Sequence, residues 1–189
     1  ELGRRPIDAR LAEIRGALTH DDVARLMART NFGLGRSLFG PAVFDDQKSP
    51  DRYALYLSQA GLGLADREFY LRDAFKPQRE RYLKYVADTL RLAGWDEPEA
   101  KAAAVVALET RIAEAHWTRA ESRDRDKTYN PTTWTDLGTT APGFPWLAFA
   151  KASGLDRATK VVVRQDTAMP RLAAIFADTP VDTLQAWQA

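Results

Sequence analysis

The chain has 189 residues, enough for one domain or two small lobes, and its 45% hydrophobic and 28% charged residues are ordinary for a globular protein. A formal net charge of +1 gives no global attraction to nucleic acid or to an acidic membrane surface. The absence of cysteine excludes disulfides, thiolate zinc sites and cysteine nucleophiles. No apolar run approaches the roughly 20 residues that span a bilayer, and no signal peptide is visible.

The first residues of the chain show the spacing of apolar residues that is typical of helices. Pro6 begins a pattern of apolar residues at helical intervals, and Thr19 is a good N-cap for a second helix. The glycine-rich segment NFGLGRSLFGP, residues 31–41, is predicted to end that helix. It lacks the spacing of a phosphate-binding loop, so we interpret it as a loop without a ligand.

Two short stretches rich in aromatic and β-branched residues follow, near 42–47 and 53–58. They predict the strands of a hairpin, joined by a connection, KSPDR, that is too long for a tight turn. The next stretch, GLGLADREFYL, predicts a loop that enters a short helix at Asp66.

Two longer helices are predicted in the middle of the chain. The first runs from Pro77 to about Leu92, and Pro98 lies near the first turn of the second and longest one. The predicted buried stripe of the longest helix comprises Val105, Leu108, Ile112 and Ala115. The charged stretch ESRDRDK, which starts at Glu121, is predicted to continue or to end this helix.

The last third alternates short helices with one strand. Pro131 is predicted to begin a short helix with Asn130 as its cap. The stretch KVVVRQ predicts a strand near 161–165, and Pro180 begins a final helix that we expect to continue in a longer protein. Together these elements predict a mainly α fold, a multi-helix lobe with a small antiparallel or mixed sheet of about three strands.

Neither histidine lies in a pattern typical of a metal site. His20 follows a helix cap, His116 has no second histidine at helical spacing, and the chain contains no HExxH motif. We expect His20 to be exposed to solvent and His116 to lie on a helix surface or at an interface. The sequence therefore predicts no catalytic residue and no metal ligand in this chain.

The chain contains many carboxylates, but the sequence does not indicate a pair arranged for acid–base catalysis. Acid–base catalysis needs two carboxyl groups held in one cleft with different pKa values, and adjacency in sequence does not indicate that. We therefore expect solvated charges at three acidic pairs: Asp21 with Asp22, Asp45 with Asp46, and Glu109 with Glu114.

Four stretches, in this order, resemble one family of proteins. They are YLSQAGLGLADREFYL at 56–71, ALETRIAEAHWTRAESRDRDKTYNP at 107–131, PGFPWLAF at 142–149 and KVVVRQDTAMPRL at 160–172. Together they resemble the N-terminal helical region of the bacterial neprilysin-type zinc metallopeptidases, peptidase family M13. The resemblance covers most of the chain from about Val43 onward, and the first 40 residues share only a general helical character.

The charged stretch carries part of this resemblance. Its residues RDRDKTYN match the family pattern Arg-Asp-x-x-x-x-Tyr-Asn, and we expect them to tie the end of the long helix to the next segment through charge-assisted hydrogen bonds. Ala65 departs from the family, which usually has proline there. The resemblance marks ten residues, all with an expected structural role: Gly63, Asp66, Arg67, Tyr70, Glu109, Arg123, Asp124, Tyr129, Asn130 and Trp146.

The resemblance implies a division of labour within a longer protein. Zinc would be held in a C-terminal catalytic domain by an HExxH helix and a downstream glutamate, with none bound by this segment. Residues 1–189 would be a partial N-terminal, non-catalytic region that caps the cleft and limits entry to peptides. The implied partners are that catalytic domain and peptide substrates, without nucleic acid or a membrane span. The implied compartment is periplasmic or extracellular.

Two other hypotheses stay open from the sequence. The chain could be a stand-alone helical module that binds peptides or a partner protein and has no catalytic activity. It could also be a helical nucleic-acid binder built on residues 119–127, although the interleaved acids and the net charge argue against that. An HExxH motif downstream would separate the peptidase hypothesis from the stand-alone module.

Overall fold

The computed structural model describes Gly3, residues 5–29 and residues 36–189. Gly33 and Gly35 of the predicted helix-ending segment lie outside these residues. Within the described ranges the α-helices are α1 (Asp8–Arg15), α2 (His20–Ala28), α3 (Glu68–Leu71), α4 (Lys76–Leu92), α5 (Pro98–Ala115), α6 (Trp134–Thr140), α7 (Trp146–Ala152), α8 (Ala168–Asp178) and α9 (Val181–Gln188). None of the helices in these ranges is long and apolar enough to cross a membrane.

A small mixed sheet completes the fold. Its strands are β1 (Phe39–Asp46), β2 (Ser49–Gln59), β3 (Asn130–Thr132) and β4 (Val161–Val163), in the spatial order β1-β2-β4-β3. β2 is antiparallel to β1 and parallel to β4, and β3 is antiparallel to β4. The predicted fold class, mainly α with a small sheet, is confirmed.

The hairpin is longer than predicted, and its connection is shorter. β2 begins at Ser49, so only Gln47 and Lys48 join the two strands. The prediction that KSPDR is a long loop was wrong, because Pro50 does not interrupt β2. A proline is tolerated in a strand where its missing N–H leaves no ladder bond unmade. The pairing shifts register between Asp45 and Asp46, next to the turn.

The predicted helix start at Pro131 was also wrong. Asn130 and Pro131 belong to β3 rather than to a helix cap and first turn. Helix α6 begins at Trp134, and Thr133 caps it because its Oγ1 accepts a hydrogen bond from the Asp136 N–H at 3.1 Å. Asn130 pairs with Val163 of β4, so the cap falls to Thr133, and the Pro131 ring is accommodated at the edge strand of the sheet.

The predicted cap of α2 is confirmed. Thr19 Oγ1 accepts a hydrogen bond from the Asp22 N–H at 3.1 Å, and the Asp22 carboxylate accepts one from the Thr19 N–H at 3.1 Å. This reciprocal pair satisfies two main-chain donors at the start of the helix.

The main core lies between the helices and one face of the sheet. The predicted stripe of α5 is buried at every position, with Ile112 fully inaccessible. Aromatic rings fill the space below β1: Phe39 lies 4.4 Å from Trp146 and 4.7 Å from Phe144 between ring centroids. On the opposite face of the sheet a smaller cluster contains Ala54, Tyr56 and Val162, with Tyr129 packed against it.

Candidate functional site

Glu109 is a buried carboxylate at the centre of the lobe. It lies on α5, is fully inaccessible to solvent, and accepts hydrogen bonds from four side chains. The Tyr70 hydroxyl donates to Oε2 at 2.7 Å, while Tyr82 Oη, Arg36 Nη1 and Trp187 Nε1 donate to Oε1 at 3.1, 2.9 and 3.1 Å. We call these five residues the Glu109 network.

The expectation that Glu109 is a solvated charge was wrong. The residue lies four positions after Val105 and three before Ile112, and both of those are buried. Side chains at these intervals share one face of a helix, so Glu109 belongs to the buried stripe of α5. That spacing was the signal in the sequence from which its burial could have been predicted.

Four donors make this burial tolerable. A carboxylate in the core is destabilising unless hydrogen bonds and a counter-charge replace its hydration. Burial, and then the Glu109 charge, raise the pKa values of the Tyr70 and Tyr82 phenols, so both stay protonated as donors. The network thereby joins α5 to α3, α4, α9 and the segment that leads into β1.

Gly63 is required for the close approach of the loop to this network. Its N–H donates to Tyr70 Oη at 3.0 Å. A Cβ at position 63 would lie 1.8 Å from Tyr82 Oη and 2.6 Å from Arg36 Nη1, distances that no carbon tolerates. The structure thus brings together three of the family-motif residues, Gly63, Tyr70 and Glu109.

The other three members of this site could not be recognised from the sequence. Tyr82 lies on the apolar face of α4, and only its hydroxyl group distinguishes it from an ordinary core residue. Arg36 and Trp187 lie far from Glu109 in sequence and outside the quoted family stretches. Their contribution follows from tertiary packing alone.

Asp66 and Arg67 fasten the loop before α3 to the end of α5. Asp66 Oδ1 accepts a hydrogen bond from the Glu68 N–H at 3.0 Å, and its carboxylate forms an ion pair with Arg119. The Glu68 bond, with Arg119, lowers the pKa of Asp66 despite partial burial. Arg67 Nε donates to the Ala113 carbonyl at 3.0 Å. Both residues therefore bridge separate segments.

Arg123 and Asp124, the first half of the family pattern, are exposed, and the hydrogen bonds of Asp124 are to residues close to it in sequence. α5 ends at Ala115, so the charged stretch neither continues nor ends that helix. Arg123 closes a short 3-10 turn, Glu121–Arg123. Asp124 Oδ1 accepts hydrogen bonds from the main-chain N–H groups of Asp126 and Lys127 at 3.1 and 3.3 Å. These contacts shape the turn itself.

The Tyr-Asn half of the pattern reaches across to the sheet. Tyr129 Oη donates to Asp46 Oδ1 at 2.7 Å, and Lys160 forms an ion pair with the same carboxylate. Asn130 Nδ2 donates to the Val163 carbonyl at 3.1 Å. The structure places these residues between the tip of the hairpin and β4.

Asp46 is a second carboxylate whose predicted exposure was wrong, since only 2% of it is accessible. The hydrogen bond from Lys160, supported by that from Tyr129, lowers the pKa of Asp46 to about 2. We call Asp46, Tyr129 and Lys160 the Asp46 cluster. It holds the turn of the hairpin against the segment that precedes β3.

Trp146 anchors α7 in the core. Only 2% of it is accessible, and its Nε1 donates to the Ala141 carbonyl at 2.8 Å. The indole packs against Phe39 and Phe144. It lies in the aromatic core below β1 and takes no part in the Glu109 network.

Both histidines are at least partly buried. His20 is half-buried, with its Nε2 at 3.0 Å from the Thr179 carbonyl oxygen and its ring edge-on to Phe176. His116 is 9% exposed, and its Nε2 lies 3.1 Å from the carbonyl oxygen of Ala60. Burial lowers the pKa of His116 to about 4, so it is neutral near pH 7. The expected exposure of His20 was wrong, because Phe176 and the Thr179 carbonyl lie against its ring. His116 lies where the end of α5 meets the Ala60 segment, which is the interface position that the sequence left open.

This chain is similar to known proteins. The model of Peptidase family M13 matches residues 1–189. Endothelin-converting enzyme 1 of Homo sapiens is 30% identical over 118 residues, which are 59% of this chain and 15% of that protein. Neprilysin-3 of Drosophila melanogaster is 26% identical over 134 residues, 69% of this chain and 16% of that protein.

A solved structure shares the fold described above. The zinc metalloprotease Zmp1 of Mycobacterium tuberculosis, in complex with an inhibitor, matches 99% of this chain with a TM-score of 0.92 and 29% identity. This chain covers 29% of that protein, and it spans about 15% of the length of the curated relatives. Because the family model matches every residue from 1 to 189, the chain belongs to peptidase family M13.

Proposed function

We propose that this chain is the non-catalytic helical lobe of a zinc metalloendopeptidase that hydrolyses oligopeptides. The match of the M13 model to all of residues 1–189 carries the proposal. The match to 29% of Zmp1 supports a division in which most of the enzyme lies elsewhere in the polypeptide. The C-terminal catalytic domain is then the partner of this lobe, and the compartment is periplasmic or extracellular, as the family resemblance implies.

The residues that the structure describes do not suit a zinc site. Among the residues that the structure describes, no group of three or more histidines, cysteines, aspartates or glutamates is placed to hold a metal ion. Each of the two histidines directs Nε2 at a main-chain carbonyl. On this proposal the zinc ligands and the general base belong to the catalytic domain.

The role of the lobe is to form a stiff wall over the catalytic cleft and to limit entry to oligopeptides. Stiffness is supported by the Glu109 network, which links five separate segments through one inaccessible carboxylate. Gly63, Asp66, Arg67, Tyr129 and Asn130 act in the same way, because they join loops to helices and strands. We propose that these residues maintain shape and do not contact substrate.

The proposal is tested on the whole protein with two substrates that carry the same cleavage sequence. One is a free oligopeptide, and the other presents that sequence in a loop of a folded protein. We expect the peptide to be cleaved, the folded protein to be spared, and a chelator to abolish cleavage until zinc is restored. Cleavage that is insensitive to chelation would refute the zinc mechanism, and equal cleavage of both substrates would refute the access-limiting role. No cleavage with retained peptide binding would favour the stand-alone binding module.

A further inference from the structure

The β1–β2 hairpin extends beyond the rest of the sheet. β2 pairs with β1 along most of its length but meets β4 only at Leu55, Tyr56 and Leu57. β1 lies at an edge of the sheet, so no other strand among the described residues covers its outer side. An unpaired edge presents a row of N–H and C=O groups to which another strand can bond.

Apolar side chains are exposed on both faces of the hairpin near its free edge. Val43 is 57% exposed and lies opposite Leu55, which belongs to the main core. Phe44 is 61% exposed and lies opposite Ala54, which belongs to the small cluster on the other face. Tyr53 is 77% exposed. Strands with one solvated face alternate apolar and polar residues, whereas apolar residues on both faces are typical of a strand inside a sheet.

Pro41 indicates which main-chain groups point outward. A proline has no N–H for the ladder, and in a strand its N–H side faces away from the partner. Main-chain orientation alternates along an antiparallel pair, so Val43 and Asp45 point to the same outer side as Pro41. The free edge therefore offers N–H donors at two positions, next to exposed apolar side chains.

We propose that the outer edge of β1, from Pro41 to Asp45, binds an extended segment of the same polypeptide from outside residues 1–189. This segment adds a strand to the sheet and covers Val43 and Phe44. The inference rests on the proposed function, because it requires the longer polypeptide of an M13 peptidase.

A segment of the same chain is the occupant that the observations favour. The relatives that match are several times longer than this chain, which covers 15% of endothelin-converting enzyme 1 and 29% of Zmp1. Covalent linkage gives such a segment a high effective concentration at the edge, an advantage that a second copy or a free peptide lacks.

Hydrogen–deuterium exchange of the whole protein, resolved to single residues by fragmentation, tests the edge. We expect the Val43 and Asp45 amides to exchange on the order of 100-fold more slowly than unprotected amides. Exchange at the unprotected rate would overturn the proposal. The readout does not depend on catalysis, so protection in an inactive protein would refute the proposed function and still support the added strand.

Photo-crosslinking identifies the occupant. A photoreactive amino acid replaces Tyr53, and a second variant carries it at Leu92, which is 79% exposed at the end of α4, as the matched control. We expect the probe at position 53 to link to a peptide from outside residues 1–189 of the same polypeptide, in clear excess over the control. A link to a second copy, a link only to added oligopeptide, or equal yields at the two positions would overturn the proposal.

Discussion

Glu109 and Asp46, the two buried carboxylates among the described residues, are held by different kinds of partner. Glu109 is enclosed by two phenols, an indole and a guanidinium. Asp46 lies at the hairpin turn and pairs with Lys160, whose side chain is 41% exposed. Similar burial therefore has different consequences at the two carboxylates. Loss of Glu109 would leave several donors inside the core, whereas the partners of Asp46 can turn to water.

The largest expected effect is that of Glu109→Ala. Removing one partner from a buried charged network is destabilising by about 3–5 kcal/mol, because the remaining groups lose their hydrogen bonds away from water. Native-state hydrogen exchange of the α5 amides in the whole protein measures the change. Glu114→Ala is the matched control, since Glu114 is an exposed residue of the same helix, and it is expected to change stability by less than about 0.5 kcal/mol. Equal effects of the two variants would contradict the role of the network.

His116 is another buried titratable group, and it makes the free energy of unfolding depend on pH. Its pKa falls from 6.5 to about 4 in the folded protein, so the unfolded chain binds the proton more readily. The contribution of neutral His116 to the free energy of unfolding is therefore complete above pH 6.5. It declines as the pH falls and is lost below about pH 4. The full change is about 3 kcal/mol.

Thermal unfolding of the whole protein between pH 4 and pH 7 measures this dependence. His116→Gln keeps a side-chain donor that can reach the Ala60 carbonyl but cannot be protonated in this range. We expect this variant to lose part of the acid sensitivity. An unchanged pH profile would show that His116 is not its source.

Gly63→Ala tests how tightly the loop packs on the Glu109 network. The added methyl group collides with Tyr82 Oη, and we expect a loss of about 1–3 kcal/mol from the forced movement. Because Tyr82→Phe removes the atom in closest contact, the double variant should be less destabilised than the sum of the two single changes. Exchange of the same α5 amides measures the loss of stability in each variant. If the loss in the double variant equals the sum of the two single losses, the loop does not contact Tyr82 closely.

The smallest expected effect belongs to Tyr129→Phe at the Asp46 cluster. It removes one hydrogen bond near solvent while Lys160 still pairs with Asp46, so a loss of about 1 kcal/mol or less is expected. Tyr53→Phe is the control, because Tyr53 is a mostly exposed residue of the same hairpin. A loss as large as that of Glu109→Ala, in the same exchange experiment, would remove the distinction between the two carboxylates.

The sequence by itself determined the two long helices, α4 and α5, and the cap of α2. The intervals of apolar residues along α4 and α5 predicted both helices, because burial of one face follows from the period of the helix. Thr19 predicted the start of α2, since a cap is a contact between residues three positions apart. The family was recognisable from four ordered stretches, and its model covers all of residues 1–189.

Only the tertiary structure decided which charged residues are buried. Glu109 and Asp46 were predicted to be solvated, because a carboxylate is normally exposed and its donors here come from distant parts of the chain. Arg36 and Trp187 reach Glu109 across 73 and 78 positions, respectively. Asn130 and Pro131 became a strand for a related reason, since their pairing partner, β4, lies about thirty residues later. Local propensity fixes short-range structure, but a buried polar network exists only when separate segments pack together.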